Sequence, residues 1–137
     1  MNKGSQAYKQ VNQSKTEDLN FDPHQTVQYL MQFVIEKLAL AKHAIEANNI
    51  KVKGECLSQV VTILGILQAS LDPQKDCEAL AADLDNLYHY MMNRVLEASY
   101  KNSAEMVEEV LRLMNTIKSG WDAISYQDYL SSKNNEK

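Results

Sequence analysis

The chain has 137 residues, enough for one domain whose core needs no metal or disulfide staple. Hydrophobic residues are 45% and charged residues 23%, while 4 Gly and 2 Pro leave few places to turn, which favours a few long helices over many short strands. The net charge of -4, with Lys and Arg scattered rather than striped, argues against nucleic acid and anionic membrane as partners.

Residues 1–21 are mostly polar, with Tyr8, Val11, Leu19 and Phe21 as the only candidate anchors, and read as a flexible N-terminal arm. No apolar signal core opens the chain, so a cytoplasmic protein is expected. The first helix is predicted from Pro23, with Asp22 as its N-cap, to about Ala47, where Asn48-Asn49 stops it. Its core stripe is Val27, Leu30/Met31, Val34, Leu38, Ala41 and Ile45. The second helix spans about Lys51 to Ser70 and ends before Asp72-Pro73. It contains the longest uncharged run, Cys56 to Leu71, which is too short and too often broken by Gln and Thr for stable membrane insertion.

The third helix is predicted over about Lys75 to Tyr100, with Leu80, Leu84, Leu87/Tyr88, Met91, Val95 and Ala98 in register. The fourth opens at Ser103, whose hydroxyl caps it, and carries Met106/Val107, Val110, Met114, Ile117, Trp121 and Ile124. Leu87 and Trp121 are expected in the core, and Ser131–Lys137 is read as a polar tail. The fold class is therefore all-α: an elongated antiparallel up-down four-helix bundle over 22–130, within a single domain 1–137. At about 1.5 Å per residue each helix is roughly 30–39 Å long.

Two helices carry more apolar surface than a bundle stripe requires. The first has a second line, Tyr29, Phe33, Leu40 and Ala44. The second is apolar around most of its circumference, leaving only Ser58, Gln59 and Thr62 as a narrow polar face. Large exposed apolar patches mark interaction sites, so a binding protein is expected unless the arm, or a second copy, covers the surplus.

Nothing in the sequence supports catalysis. Cys56 and Cys77 lack metal or pairing geometry and read as free thiols in a reducing compartment. His24, His43 and His89 lie apart, and Asp85 with His89 reads as a solvated i,i+4 pair. The Glu-x-x-His motif of di-iron bundles does not occur, so no cofactor or metal is expected. Glu108-Glu109 and Asp83/Asp85 read as solvated faces.

Helix three brings a more specific pattern. Leu84-Asp85-Asn86-Leu87-Tyr88-His89-Tyr90-Met91, followed by Arg94-Val95-Leu96-Glu97-Ala98 and Lys101-Asn102, resembles the signature of FliS, the flagellin-specific flagellar export chaperones. Ala7-Tyr8, Pro23, Ala44-Ile45-Glu46, Ser70-Leu71-Asp72 and Trp121 fit the same order, so the resemblance covers nearly the whole chain. Leu30-Met31-Gln32-Phe33, Gln59-Val60 and Ala98-Ser99 depart from it. The resemblance implies a non-enzymatic cytosolic chaperone. Such a chaperone would bind the C-terminal segment of flagellin, prevent premature polymerisation and deliver it to the flagellar type III export gate. The alternative is a helical adaptor or regulator of the flagellar system with another partner.

The expected binding surface is a groove formed by helices one, two and three. It is lined by Tyr29, Phe33, Ile63, Ile66, Leu67, Tyr88 and Met91, with Tyr8 of the arm nearby and moving when the partner binds.

Overall fold

A computed structural model describes residues 22–74 and 78–135, with side chains through 124. They form helices α1 (Pro23–Glu46), α2 (Ile50–Ala69), α3 (Glu78–Lys101) and α4 (Ala104–Asn135), with no strand among the described residues. Neighbours in sequence pack together, and α4 closes the ring against α1, which is the expected up-down bundle. The arm 1–21 and Cys77 lie outside the described residues.

The helix ends follow local chemistry. Asp22 accepts from the Gln25 N–H at 2.8 Å while the Gln25 side chain accepts from the Asp22 N–H at 3.0 Å, a reciprocal capping box. Pro23 follows at the first helical position. The α1–α2 and α3–α4 turns are built alike. Asn48 (φ 58°) and Asn102 (φ 54°) sit in the left-handed region, where Asn is better tolerated than most side chains. The next N–H reaches back to Ala44 O at 2.8 Å and to Ala98 O at 2.9 Å, closing a six-to-one ring in each turn. The following residues, Asn49 and Ser103, cap the next helices through Val52 N–H and Met106 N–H. Both turns lie at one end of the bundle, called here the turn end. At the other end Asp72 accepts from Gln74 N–H at 2.9 Å beside Pro73.

The core is a continuous column of Met31, Val34, Leu38 and Ala41 from α1, Val60, Leu64 and Leu67 from α2, Tyr88, Met91 and Val95 from α3, and Val107, Val110 and Met114 from α4. Two expectations need correction. Leu87 is only half-buried, and Tyr88, one position on, takes the interior place. The buried line of α3 is Ala81, Leu84, Tyr88, Met91, Val95 and Ala98, and Leu87 falls on its α4 flank. Trp121 is also half-buried. Its Nε1 donates to His24 O at 3.2 Å, and its ring lies 5.2 Å from the His24 imidazole. Helix α4 continues to Asn135, through most of the segment read as a tail.

Candidate partner-binding site

The residues expected to line one groove separate into two groups. Ile63 (8% exposed), Leu67 (1%), Tyr88 (1%) and Met91 (0%) belong to the core cluster. They close the interior rather than face a partner in this conformation. Burial drives the Tyr88 hydroxyl up to about 12, because the phenolate would lose its hydration. Tyr29, Phe33 and Ile66 are half-buried and pack on the rim of that core. Tyr8 lies outside the described residues.

The three rim residues share one seam. On α1, Gln28 and Lys42 reach α4 through Asp122 (2.9 Å) and Glu108 (3.2 Å), which fixes the α4-facing flank. Tyr29, Phe33 and Leu40 lie on the opposite flank, toward α2. On α2, Gln68 and Lys53 reach α3, so Ile66 lies on the α1-facing side. Antiparallel pairing then brings Ile66 to the level of Tyr29 and Phe33. Leu40 is 48% exposed, and the Lys37 ammonium sits 5.2 Å above the Phe33 ring centroid, its stem covering apolar surface. Ala44, the last member of the expected second line, is buried. The site is thus an apolar seam between α1 and α2, flanked by a lysine.

A second feature was not recognised in the sequence. Between α2 and α3 runs a shallow groove lined by Gly54, Leu57, Ser58, Val61, Thr62, Val95, Leu96 and Ser99. Its signal was the small residues of the supposed polar face: a Cβ added at Gly54 or at Gly65 would meet nothing within 4 Å. The fold itself does not require glycine there.

The α3–α4 seam near the turn end is tied by charge. Arg94 donates to Glu109 at 2.6 and 3.1 Å and to Glu97 at 3.2 Å, the Tyr90 hydroxyl donates to Glu109, and Lys101 pairs with Glu97 at 2.8 Å. The Tyr90 hydroxyl and the Arg94 guanidinium together hold the Glu109 carboxyl below its ordinary range. Lys101, followed by Arg94, does the same for Glu97. Glu109 is therefore a tie between helices and not a solvated face as expected. Asp85 likewise accepts from Gln68 Nε2 at 2.9 Å. No group of three or more His, Cys, Asp or Glu able to hold a metal occurs among the described residues. No helix there is long and apolar enough to cross a membrane.

An elongated antiparallel four-helix bundle with apolar seams along its length is the class of protein defined here. Residues 4–128 match the family described as flagellar protein FliS. The chain is 39% identical over 125 residues to flagellar secretion chaperone FliSB of Pseudomonas aeruginosa, covering 90% of this chain and 97% of that protein. It is 39% identical over 120 residues to flagellar secretion chaperone FliS of Vibrio cholerae (87% and 86% covered). To the Salmonella typhimurium protein of the same name it is 35% identical over 123 residues (89% and 90%). The chain belongs to the FliS family.

Proposed function

We propose that this protein is a cytoplasmic export chaperone that binds the C-terminal segment of flagellin. In this reading it prevents premature polymerisation and delivers the subunit to the flagellar type III export gate. The naming of its relatives as flagellar secretion chaperones supports the export role. The observation that carries the binding role is the row of Tyr29, Phe33, Leu40 and Ile66, left half-buried or exposed along the α1–α2 seam. A disordered segment can fold as a helix while laying its apolar side chains on such a seam. Ordering it costs on the order of 2–5 kcal/mol, so a long contact surface is needed. The rod supplies one: α1, with 24 residues, is about 36 Å long.

In this reading Phe33, Tyr29 and Ile66 anchor the segment. Tyr8, which falls within the matched stretch, contributes from the arm. Calorimetric titration of the full chain with flagellin, intact and lacking its C-terminal segment, tests the reading. Binding should be lost with the segment. Equal binding of both forms would transfer the case to an adaptor with a different recognition element.

A further inference from the structure

One residue breaks the second apolar line of α1. Tyr29, Phe33, Leu40 and Ala44 follow helical spacing, and the place between Phe33 and Leu40 is taken by Lys37. Lys37 is half-buried, and its ammonium lies 5.2 Å from the Phe33 ring centroid. A helical side chain leans over the turn before its own Cα, which carries Lys37 onto Phe33. Its charge is left without a carboxylate by both helices of the seam. On α1 the residues three and four positions away are Phe33, Val34, Leu40 and Ala41, none of them acidic. Glu36, next in sequence, is engaged by Gln32. Across the seam α2 has no charged residue from Cys56 to its end at Ala69. That stretch is the part level with Lys37, since Ile66 lies level with Tyr29 and Phe33. Drawing a charge partly out of water is costly unless a partner answers it, and the ring face offsets only some of that cost.

We infer that Lys37 determines which segments the seam accepts, by pairing with a carboxylate on the bound helix. This rests on the proposed seating of the flagellin segment on the α1–α2 seam, and it gives that seating a chemistry. Along α1 the seam runs apolar, positive, apolar, with Phe33 about 6 Å to one side of Lys37 and Leu40 about 4.5 Å to the other. The matching helix carries an Asp or Glu about one turn from a large apolar residue on each side. When those apolar residues sit on Phe33 and Leu40, the acid lies against the ammonium.

Closing a helix over the seam excludes water from around the pair and strengthens its attraction. A segment with an apolar residue at that place leaves the ammonium covered and unpaired. A segment with a basic residue there brings two like charges together in the same dry seam and is rejected. Apolar contact with Phe33 and Ile66 alone does not discriminate in this way.

Titration of the full chain with the C-terminal segment of flagellin tests this. Lys37→Met keeps a stem over Phe33 and removes only the charge. It should bind about tenfold more weakly at low salt, and lose less of its affinity as salt is raised. Lys37→Glu should bind more weakly still, with folding checked by circular dichroism. Each Asp and Glu of the segment is then replaced by Lys in turn. One such segment should bind the Lys37→Glu chain at least about tenfold better than the unchanged segment does, and bind the wild type more weakly. Lys37→Met binding as tightly as the wild type, with the same salt dependence, overturns the inference. So does a scan in which no replacement restores binding to Lys37→Glu. Phe33→Asp with Ile66→Asp separates the two failures. If that double variant loses the segment while Lys37→Met keeps it, the seam stands and only the role of Lys37 falls. If the double variant binds as the wild type does, the seam fails and the role of Lys37 falls with it.

Discussion

Helix α2 has two flanks that solve the same packing problem differently. Toward α1 its neighbours are large: Tyr29 and Phe33, with Ile66 from α2 itself, sit half-buried on the core rim. Toward α3 it presents Gly54, Ser58 and Thr62, and the space beside them is left hollow. Both flanks border the same fully buried line, Val60, Leu64 and Leu67. The difference shows that the apolar surplus of α2 is not one surface. One flank presents large apolar side chains, and the other leaves room.

The largest effect should come from the line common to both flanks. Leu64 is 0% exposed, and Leu64→Ala should cost about 2–5 kcal/mol in urea unfolding, the usual loss for a truncated core leucine. Leu87→Ala should cost visibly less, roughly 1–2 kcal/mol, because that leucine is only half-buried and loses less buried area. Equal losses would mean the α3–α4 flank is closed in solution.

Tyr88 predicts a pH dependence. Its pKa in the folded chain is about 12 against an ordinary 10.0, so above 10 the unfolded chain loses this proton more readily than the folded one. The contribution of the neutral phenol is fully present below 10 and is lost as pH rises toward 12. Tyr88→Phe should flatten the fall in stability over that window, measured by denaturant midpoints at several pH values.

Gly54→Ala and Gly65→Ala should each stabilise the isolated chain by about 0.5–1 kcal/mol, since helical glycine is entropically costly and the added Cβ meets nothing. The smallest effect is expected at the Arg94–Glu109 tie, which is half-buried at the helix seam and still partly screened by water and salt. The Glu109 carboxyl is held low by Tyr90 and Arg94, so its contribution is present above the ordinary carboxylate range and fades as pH falls through the lowered value. Arg94→Ala should diminish that acid-side slope and little else.

Much of this fold was legible because it is written in local chemistry. Asp22 with Pro23, Asn48-Asn49 and Ser103 fix three helix boundaries through caps and turns that need only neighbouring residues. The extension of α4 to Asn135 was not legible, since 125–135 lack a long apolar stripe and helix persists there without one. The site was half legible. The second line on α1, Tyr29, Phe33, Leu40 and Ala44, marks three residues the structure leaves half-buried or exposed and one, Ala44, that it buries. Ile63, Leu67, Tyr88 and Met91 were assigned to the same groove because helical periodicity reports that a residue is apolar, not which neighbour covers it. Leu87 and Tyr88, adjacent on the wheel, show the limit: the choice between them depends on the rotation of α3 against α2 and α4. The hollow flank escaped notice because Ser58 and Thr62 read as ordinary solvent-facing residues.

The proposed seating of the flagellin segment on the α1–α2 seam is decided by the double variant Phe33→Asp with Ile66→Asp. Titrated against the C-terminal segment of flagellin, it should bind at least about tenfold more weakly than the wild type, as loss of large anchors in a groove implies. Its helical circular dichroism should be unchanged and its melting nearly so, because both side chains sit on the rim rather than in the core column. A folded double variant that binds the segment as tightly as the wild type would place the segment on another face of the bundle and rule out the α1–α2 seam.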